Sequence, residues 1–281
     1  MENSNSLYSR SCYECSKLIT NRYSTSFSMG IRLFEKKLRM PICAIYGFVR
    51  LADEIVDTFH DYDKAELLAR FRQDTYKAIE DKISLNPILH TFQQVVHRYN
   101  IEMNHIDAFL DSMAMDLDEF VYTTGMYKKY IYGSAEVVGL MCLRVFCDRN
   151  EEQYQSLKEG ASSLGAAFQK VNFLRDIKSD YEDRGRVYFP NVDYHSFSEK
   201  DKQAIEADIK EDFAKAYVDI VKLPRGARLG VYLAYVYYKK LTNKISRESA
   251  AKLYDKRIRV RNSRKLMLLF KSSIKHQFNI L

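Results

Sequence analysis

Glycine and proline are scarce in this chain, which has 281 residues but 10 glycines and 4 prolines. Folds rich in β-strands need frequent turns, which these two residues commonly form, so their scarcity favours long helices joined by few loops. Sustained alternation of polar and apolar residues, the pattern of a half-buried strand, is also missing. No linker rich in Gly, Ser or Pro and no internal repeat divides the chain. We therefore expect one all-α domain that spans residues 1–281.

The cysteines do not suggest a disulfide framework. There are five of them, an odd number, at positions 12, 15, 43, 142 and 147. Cys12 and Cys15 form a C-x-x-C pair, but no second Cys or His pair accompanies it at the spacing of a zinc site. We interpret the pair as part of a packed helix and expect a reducing compartment.

The sequence also shows no segment for export or for crossing a membrane. Residues 1–10 are polar and lack the apolar stretch of a signal peptide. No apolar run approaches the ~18 residues that would cross a bilayer. We therefore expect a cytoplasmic protein, with peripheral contact at a membrane surface as the alternative.

Positive charge is in excess, since 44 Lys and Arg against 37 Asp and Glu give a net charge of +7. This excess favours an anionic partner, of which a phosphate group, a nucleic acid and a lipid surface are the main classes. It is concentrated near the C-terminus, where residues 252–275 contain nine basic side chains and one acid. Charge alone leaves the three classes of partner open.

Helical periodicity covers most of the chain between the prolines. Asn86 and Pro87 predict an N-cap followed by a first helical residue, so a helix should run from there to about His97. Further helices are predicted over residues 42–59, 104–120, 127–147, 151–180, 200–221 and 228–246. Each of these stretches exceeds the usual length of a strand, which supports the all-α interpretation.

The predicted helix 42–59 is apolar on nearly all sides, yet it contains several charged side chains and no lysine. Four residues at spacings of four, three and four share one of its faces and form the first acidic stripe: Tyr46, Arg50, Asp53 and Asp57. Like charges one turn apart destabilise even an exposed helix by roughly 0.2–0.5 kcal/mol. Burial of two unpaired carboxylates costs far more, so we expect a cation or a cluster of basic side chains to neutralise them.

A stripe with the same period recurs more than a hundred residues downstream, within residues 164–190. The members of this second acidic stripe are Gln169, Asn172, Asp176 and Asp180. Apolar side chains occupy the other faces, and Arg175 lies beside the stripe. Taken alone, the second stripe also fits a solvated helix face paired with Lys170 and Lys178, whereas the lack of lysine in residues 42–59 makes this alternative weak for the first stripe. Two acidic faces together can oppose each other across a helical bundle, as they do in helix-bundle metal sites.

The ligand types in the two stripes suit a hard cation. Mg²⁺ binds oxygen atoms and usually takes few protein carboxylates together with substrate phosphates, so we expect Mg²⁺, with Mn²⁺ as the alternative. A tetrahedral zinc site would need His or Cys on these faces, and neither stripe has one. The six histidines are scattered along the chain and are interpreted as structural or surface residues.

A cation between acidic faces also calls for an anion, and several side chains could bind phosphate. The candidates are Arg50, Arg175, Arg184, Arg186 and the hydroxyl-rich segment Tyr23, Ser24, Thr25 and Ser26. That segment fits a helix N-cap equally well. Small residues follow Tyr130 at Gly133, Ser134, Ala135 and Gly139, which allows either close helix packing or an open apolar channel.

These residues together resemble the squalene/phytoene synthase family. The resemblance rests on Asp53-Glu-Ile-Val-Asp57 after Tyr46 and Arg50, on Asn172-Phe-Leu-Arg-Asp-Ile-Lys-Ser-Asp180, and on Arg184-Gly-Arg-Val-Tyr-Phe-Pro190. The segment Tyr23-Ser-Thr-Ser-Phe27 is similar to an early element of the same family, although many relatives have His and Lys where Tyr23 and Thr25 stand. The match runs from about residue 23 to residue 265.

The resemblance implies an all-α isoprenoid-synthase bundle with a central apolar cavity. It implies Mg²⁺ ligands at Asp53, Asp57, Asn172 and Asp176, with Asp180 in support. Implied contacts to diphosphate or substrate are Tyr23, Ser24, Thr25, Ser26, Tyr46, Arg50, Gln169, Arg175, Arg186 and Tyr238. Tyr130 falls on a catalytic tyrosine of the family, and Arg259 falls near a basic C-terminal position.

The implied reaction is the head-to-head condensation of two prenyl diphosphates through a cyclopropyl-carbinyl diphosphate. We predict phytoene from two geranylgeranyl diphosphates, in carotenoid biosynthesis. The alternative is dehydrosqualene or squalene from farnesyl diphosphate, with NADPH needed for squalene alone. An alternative of another class is a non-catalytic helical lipid-binding or assembly protein on the same fold. No nucleic-acid partner is expected, and the oligomeric state stays open.

Overall fold

The computed structural model describes residues 4–117, 122–183, 185–190, 192, 194–255 and 257–258. The protein is 81% helical, without strands in this part of the chain, which confirms the all-α prediction. The α-helices found there are α1 Ser4–Tyr23, α2 Thr25–Ile31, α3 Lys36–Thr58, α4 Lys64–Asp81, α5 Pro87–Tyr99, α6 Met103–Met115, α7 Thr124–Ile131, α8 Val137–Cys147, α9 Glu151–Glu182, α10 Glu199–Ile220 and α11 Arg225–Ile245. A π-helical turn, Tyr132–Glu136, joins α7 to α8.

Several helices begin at N-cap residues that can be identified from the sequence. The Asn86 carboxamide accepts hydrogen bonds from the backbone N–H groups of Ile88 and Leu89, with Pro87 as the first helical residue, as predicted for α5. Ser198 and Asp201 form a reciprocal capping box that begins α10. Caps of this kind satisfy N–H groups that have no partner within the helix.

Helix α3 begins earlier than the sequence predicts. The expected start was residue 42, just after a proline, but α3 starts at Lys36 and contains Pro41. A proline inside a helix removes one backbone hydrogen bond. Here Leu38 and Ile42 on either side of it are both buried, so the packed apolar face continues across the proline and offsets the loss.

Two buried apolar clusters form the core of the described helices. In the first, which draws on α3, α5, α6 and α8, the ring of Phe48 stacks on Phe92 with centroids 3.9 Å apart. The second gathers α9, α10 and α11 around Phe213 and Tyr235. Helix α9 packs along α10 and α8, so it connects the two clusters.

Small residues let α8 and the π-helical turn approach α9 closely. A Cβ atom at Gly139 would lie 2.7 Å from the carbonyl oxygen of Ala161, and one at Gly165 would lie 2.5 Å from that of Ala135. Both distances are too short for a side chain, so these glycines are required by backbone packing. Ser134, Ala135 and Gly139 also border the cavity described below. Close packing and an open channel, the two sequence interpretations, therefore coexist in this segment.

The run Thr124–Cys147, which comprises α7, the π-helical turn and α8, is apolar and long enough to cross a bilayer. The expectation that the chain has no such run was therefore wrong for this segment. Its most apolar stretch is 56% buried inside the protein, where α8 and the turn pack against α6 and α9. Core helices satisfy the same length and composition criteria, so the run is weak evidence for a membrane span.

Candidate active site

A cavity of about 880 Å³ lies among α2, α3, α8, α9 and α11. Every member of the first and second acidic stripes lines it. The stripes come from α3 and α9, two helices more than a hundred residues apart in the chain. The fold therefore brings both acidic faces to one cavity, the arrangement that their common spacing suggests.

The remaining wall of the cavity is mostly apolar. Its side chains include Ile31, Phe34, Ile42, Val138, Phe146, Leu157, Leu164, Leu223 and Leu233. Cavities of this volume and lining commonly hold small molecules that bury most of their surface. The combination suits a molecule with a long hydrocarbon part and a charged head group.

Arg50 neutralises part of the first acidic stripe from within its own helix. Its guanidinium donates hydrogen bonds to the carboxylates of Asp53 and Glu54, three and four residues further along α3. The guanidinium carbon lies 4.5 Å from the ring centroid of Tyr23, a cation–π geometry. The Nε atom of Arg50 is buried and has no hydrogen-bond partner within the described part of the chain. This donor is suited to an anionic oxygen in the cavity.

Two arginines contact Asp176 in the second acidic stripe. The Nε atom of Arg175 donates to Oδ1 of Asp176 at 2.9 Å, and the Nε atom of Arg257 lies 2.7 Å from the same oxygen. Arg257 belongs to the basic C-terminal segment and lines the cavity. The sequence shows the charge excess of this segment but not its contact with the site. Arg184 and Arg259, two further candidates, lie outside the described residues.

A third acidic group, Asp116, was missed by the sequence analysis. It is buried at the C-terminal end of α6 and lines the cavity. Its Oδ2 atom accepts a hydrogen bond of 2.7 Å from the Tyr130 hydroxyl, and its Oδ1 atom accepts one of 3.2 Å from Tyr188. Burial raises the pKa of Asp116 to about 7, although Arg186 and Tyr130 favour its charged form. The sequence around it, an acidic run of Asp116, Asp118 and Glu119 after Met115, does not distinguish it from solvated surface residues.

Arg186 connects Asp116 to the first acidic stripe. Its Nη1 atom donates to Oδ1 of Asp57 at 3.1 Å and lies 3.5 Å from Oδ1 of Asp116. Its Nη2 atom donates to the backbone carbonyl of Asp116 at 2.5 Å. Arg186 is thus a buried cation shared by two carboxylates, and buried charges are tolerated when they are paired in this way.

Aromatic side chains complete the polar end of the site. The Tyr238 hydroxyl donates to Oδ1 of Asn172 at 3.2 Å, and its ring stacks on Phe168 with centroids 4.0 Å apart. The ring of Tyr46 stacks on Phe27 at 4.8 Å. The structure therefore places Tyr23, Tyr46, Tyr130, Gln169 and Tyr238, all predicted site residues, at the same cavity.

The hydroxyl-rich segment divides between two roles. Ser24 lines the cavity, and its hydroxyl also caps α2 by accepting a hydrogen bond from the Phe27 N–H. Thr25 is exposed on the first turn of α2 and is not part of the cavity wall, so the structure does not bring it into the site. The side chain of Ser26 lies outside the described residues.

The oxygen ligands at the cavity are of the type that a hard divalent cation binds, but few of them lie close to any one point. Asp53, Asp57, Asn172 and Asp176 present oxygen ligands to one cavity, the chemistry that Mg²⁺ prefers. Within the described ranges, no group of three or more His, Cys, Asp or Glu side chains is gathered around one point. An ion here would therefore be held by one or two carboxylates and completed by substrate oxygens, which is usual for Mg²⁺.

Comparisons with known proteins agree with this architecture. The squalene/phytoene synthase family model matches residues 20–264. A 4,4'-diapophytoene synthase from Staphylococcus haemolyticus is 28% identical over 207 residues, which cover 71% of this chain and 70% of that protein. A phytoene synthase from Arthrospira platensis is 26% identical over 284 residues, which cover 92% and 91%. A crystal structure of a dehydrosqualene synthase in complex with a ligand has a TM-score of 0.81 at 19% identity, covers 96% of this chain and 98% of that one, and supports the fold alone.

Proposed function

Because the chain belongs to the squalene/phytoene synthase family, we propose that it condenses two prenyl diphosphates head to head. One observation carries the proposal: a single cavity combines a mostly apolar wall with both acidic stripes and their arginines. A prenyl diphosphate needs both parts, an apolar volume for its chain and a charged region for its diphosphate. The sequence match and the cavity chemistry support the same reaction class independently.

Two geranylgeranyl diphosphates are the substrates that we propose, with phytoene as the product and carotenoid biosynthesis as the pathway. The similarity to the Arthrospira platensis phytoene synthase over 92% of this chain supports this choice. Farnesyl diphosphate, giving dehydrosqualene or squalene, is the second candidate. It is favoured by the 28% identity to a 4,4'-diapophytoene synthase, and NADPH would be required for squalene alone.

The chain's own basic residues would stabilise the diphosphate as it leaves. Arg50 and Arg175 line the cavity beside the acidic stripes, and guanidinium groups bind phosphate oxygens in a fixed geometry. Positive charge placed where negative charge develops lowers the barrier to breaking the C–O bond. Mg²⁺ held by one or two of the carboxylates Asp53, Asp57 and Asp176, with the Asn172 amide oxygen as a further candidate ligand, would supply further positive charge to the diphosphate oxygens.

The rest of the cavity would protect the allylic cation that remains. The double bond of the second substrate attacks this cation, and water would compete if it entered. The apolar side chains exclude water. Tyr23, Tyr46 and Tyr238 line the same cavity, and aromatic rings can stabilise positive charge. A cyclopropyl-carbinyl diphosphate forms after loss of one proton, and its second ionisation opens the ring.

Product analysis tests the proposal directly. The protein is incubated with geranylgeranyl or farnesyl diphosphate and Mg²⁺, with and without NADPH, and the hydrocarbons are identified by mass spectrometry. We expect phytoene from geranylgeranyl diphosphate, without a need for NADPH. A C30 product from farnesyl diphosphate alone would support the second candidate. Saturable binding of either substrate without diphosphate release would support the non-catalytic lipid-binding alternative.

We propose that this reaction takes place in the cytoplasm, with the protein in peripheral contact with a membrane. All five cysteines are free thiols, in agreement with a reducing compartment. Substrates and product have long apolar chains, so contact with a lipid surface would shorten their transfer. Sedimentation with anionic vesicles, compared at low and high salt, measures this contact.

A further inference from the structure

A buried cluster in the cavity wall joins an acid, a tyrosine and an arginine that come from three separate segments. Asp116 ends α6, Tyr130 lies in α7, and Arg186 follows α9. All three are less than a tenth exposed, and all three line the cavity. A buried polar cluster of this kind is expensive to form unless its members satisfy one another.

Tyr130 connects the buried carboxylate to the cavity. Its hydroxyl donates to Oδ2 of Asp116 at 2.7 Å, so the hydroxyl hydrogen is directed at that carboxylate and the lone pairs of the oxygen stay available as acceptors. Burial raises the pKa of the Tyr130 hydroxyl well above its usual value, and the charge of Asp116 raises it further. The phenol therefore stays protonated. It can accept a proton from a molecule in the cavity only if it releases its own proton to Asp116.

Asp116 is held in a fixed position for that exchange. Arg186 donates to its backbone carbonyl at 2.5 Å and lies 3.5 Å from Oδ1, while Tyr188 donates to Oδ1 at 3.2 Å. These contacts occupy Oδ1 and leave Oδ2 for Tyr130. Because Arg186 also binds Asp57, the cluster is tied to the first acidic stripe.

We infer that Tyr130 and Asp116 form a proton relay for the ring-closing step, an inference that rests on the proposed function. In this step a C–H bond of the cationic condensed intermediate breaks, and its electron pair forms the C–C bond that closes the cyclopropane ring. The proton passes to the Tyr130 oxygen, while the Tyr130 hydroxyl proton passes to Oδ2 of Asp116. The cation and the carboxylate both become neutral, so charge and electrons balance.

The environment of Asp116 suits this role. An aspartate with an ordinary pKa would hold a transferred proton poorly near neutral pH, whereas burial raises the pKa of Asp116 to about 7. A proton acceptor works best when its pKa lies near the working pH. No sequence motif of the family resemblance includes Asp116, and the relay follows from the contacts described above.

The test separates ionisation from proton removal. Asp116→Asn keeps the shape of the side chain but removes its ability to take a proton, and Tyr130→Phe removes the relaying hydroxyl. Diphosphate release and condensed products, both the cyclopropyl-carbinyl diphosphate and the final hydrocarbon, are measured in the same reaction with geranylgeranyl or farnesyl diphosphate. We expect each variant to lower formation of these two condensed products by about 10²-fold, the usual contribution of acid–base catalysis.

The ratio of the two readouts identifies the relay. We expect diphosphate release to continue in both variants while an alcohol of the condensed skeleton accumulates in place of the cyclopropyl-carbinyl diphosphate, because the condensed cation still forms but is captured by water. Asp111→Asn, a half-exposed aspartate on α6 paired with Arg72, is the matched control and should keep the wild-type ratio. The double variant should be no worse than either single one.

A proportionate fall of both readouts in Asp116→Asn would overturn the relay, since it would indicate a structural role. Retention of the wild-type ratio in Tyr130→Phe would also overturn it. Failure of the proposed function gives a different result, because the wild-type protein itself would then make no condensed product. Circular dichroism of each variant checks that the helical fold is retained.

Discussion

At the scale of single residues, arginines pair with the acidic side chains that line the mostly apolar cavity. Asp53, Asp57 and Asp176 pair with Arg50, Arg186 and Arg175 respectively. The sequence predicts that something must neutralise these carboxylates, and helical spacing alone identifies Arg50 as one neutralising group. Arg186 is separated from its partner Asp57 by 129 positions in the chain, and Arg257 from Asp176 by 81. Such contacts cannot be derived from local spacing.

Removal of a stripe carboxylate should stop turnover without unfolding the protein. We expect Asp53→Ala and Asp176→Ala each to lower product formation by about 10²-fold or more, because charge stabilisation of the leaving diphosphate is lost. Helicity measured by circular dichroism should stay near that of the wild type. Asp74→Ala, on the exposed face of α4, is the control and should leave turnover unchanged. Wild-type rates in both stripe variants would reject the assignment of these carboxylates.

The raised pKa of Asp116 predicts a pH dependence of stability. Between pH about 4 and about 7 the unfolded chain loses the proton of this carboxyl while the folded protein retains it. The folded state then binds more protons than the unfolded state, so this group lowers the free energy of unfolding as pH rises through that range.

Denaturant unfolding at several pH values measures the effect. As pH rises through this range, the free energy of unfolding of the wild type should fall relative to that of Asp116→Asn. The other carboxyl groups titrate in both proteins and cancel in the difference. A difference that stays constant from pH 4 to 7 would show that the pKa of Asp116 is close to its ordinary value.

At the scale of helices, the positions of α3 and α9 follow from features that the sequence contains. Their acidic stripes repeat at helical spacing, and the remaining faces are apolar, so both helices had to be largely buried with the stripes on a shared site. The π-helical turn Tyr132–Glu136 was not foreseen. Its residues fit an ordinary helix, and the turn packs closely against α6 and α9, contacts that helical spacing does not reveal.

The close approach of α9 to the π-helical turn predicts the effect of added volume. Gly165→Ala should lower the free energy of unfolding by about 1–3 kcal/mol, because the new methyl group would meet the Ala135 carbonyl. Gly125→Ala in α7 is the matched control, since no atom lies within 4 Å of its added Cβ. That variant should gain roughly 0.5–1 kcal/mol from reduced backbone freedom. Equal stability of the two variants in urea unfolding would contradict the packing described for Gly165.

At the scale of the whole molecule, one cavity unites residues from both apolar clusters and from both acidic stripes. Fold class and the two stripes could be predicted from sequence because periodicity is a local property. The cavity volume, the exclusion of Thr25 and the inclusion of Asp116 could not, because they depend on how distant helices pack. On the proposed function, this same volume would limit the length of the prenyl chain that the protein accepts, so we expect the product to depend on helix packing as well.

Added volume in the apolar wall should change the preferred chain length. Cys142 lines the cavity from α8, and Cys142→Phe would fill part of the space open to a prenyl chain. We expect kcat/KM for geranylgeranyl diphosphate to fall more than that for farnesyl diphosphate. The difference should be about 10-fold or more if one or two methylene groups of the prenyl chain can no longer be buried. Cys15→Phe, at an exposed position on α1, should leave the ratio unchanged. Equal losses for both substrates in Cys142→Phe would place the prenyl chain elsewhere.

A crystal structure with Mn²⁺ and an unreactive thio-analogue of a prenyl diphosphate tests the central claim most directly. The anomalous density peak of Mn²⁺ should lie between the two acidic stripes, at ligand distance from Asp53, Asp57 or Asp176. The prenyl chain should lie along the apolar wall. Anomalous density away from both stripes, or a prenyl chain bound outside this cavity, would contradict the account.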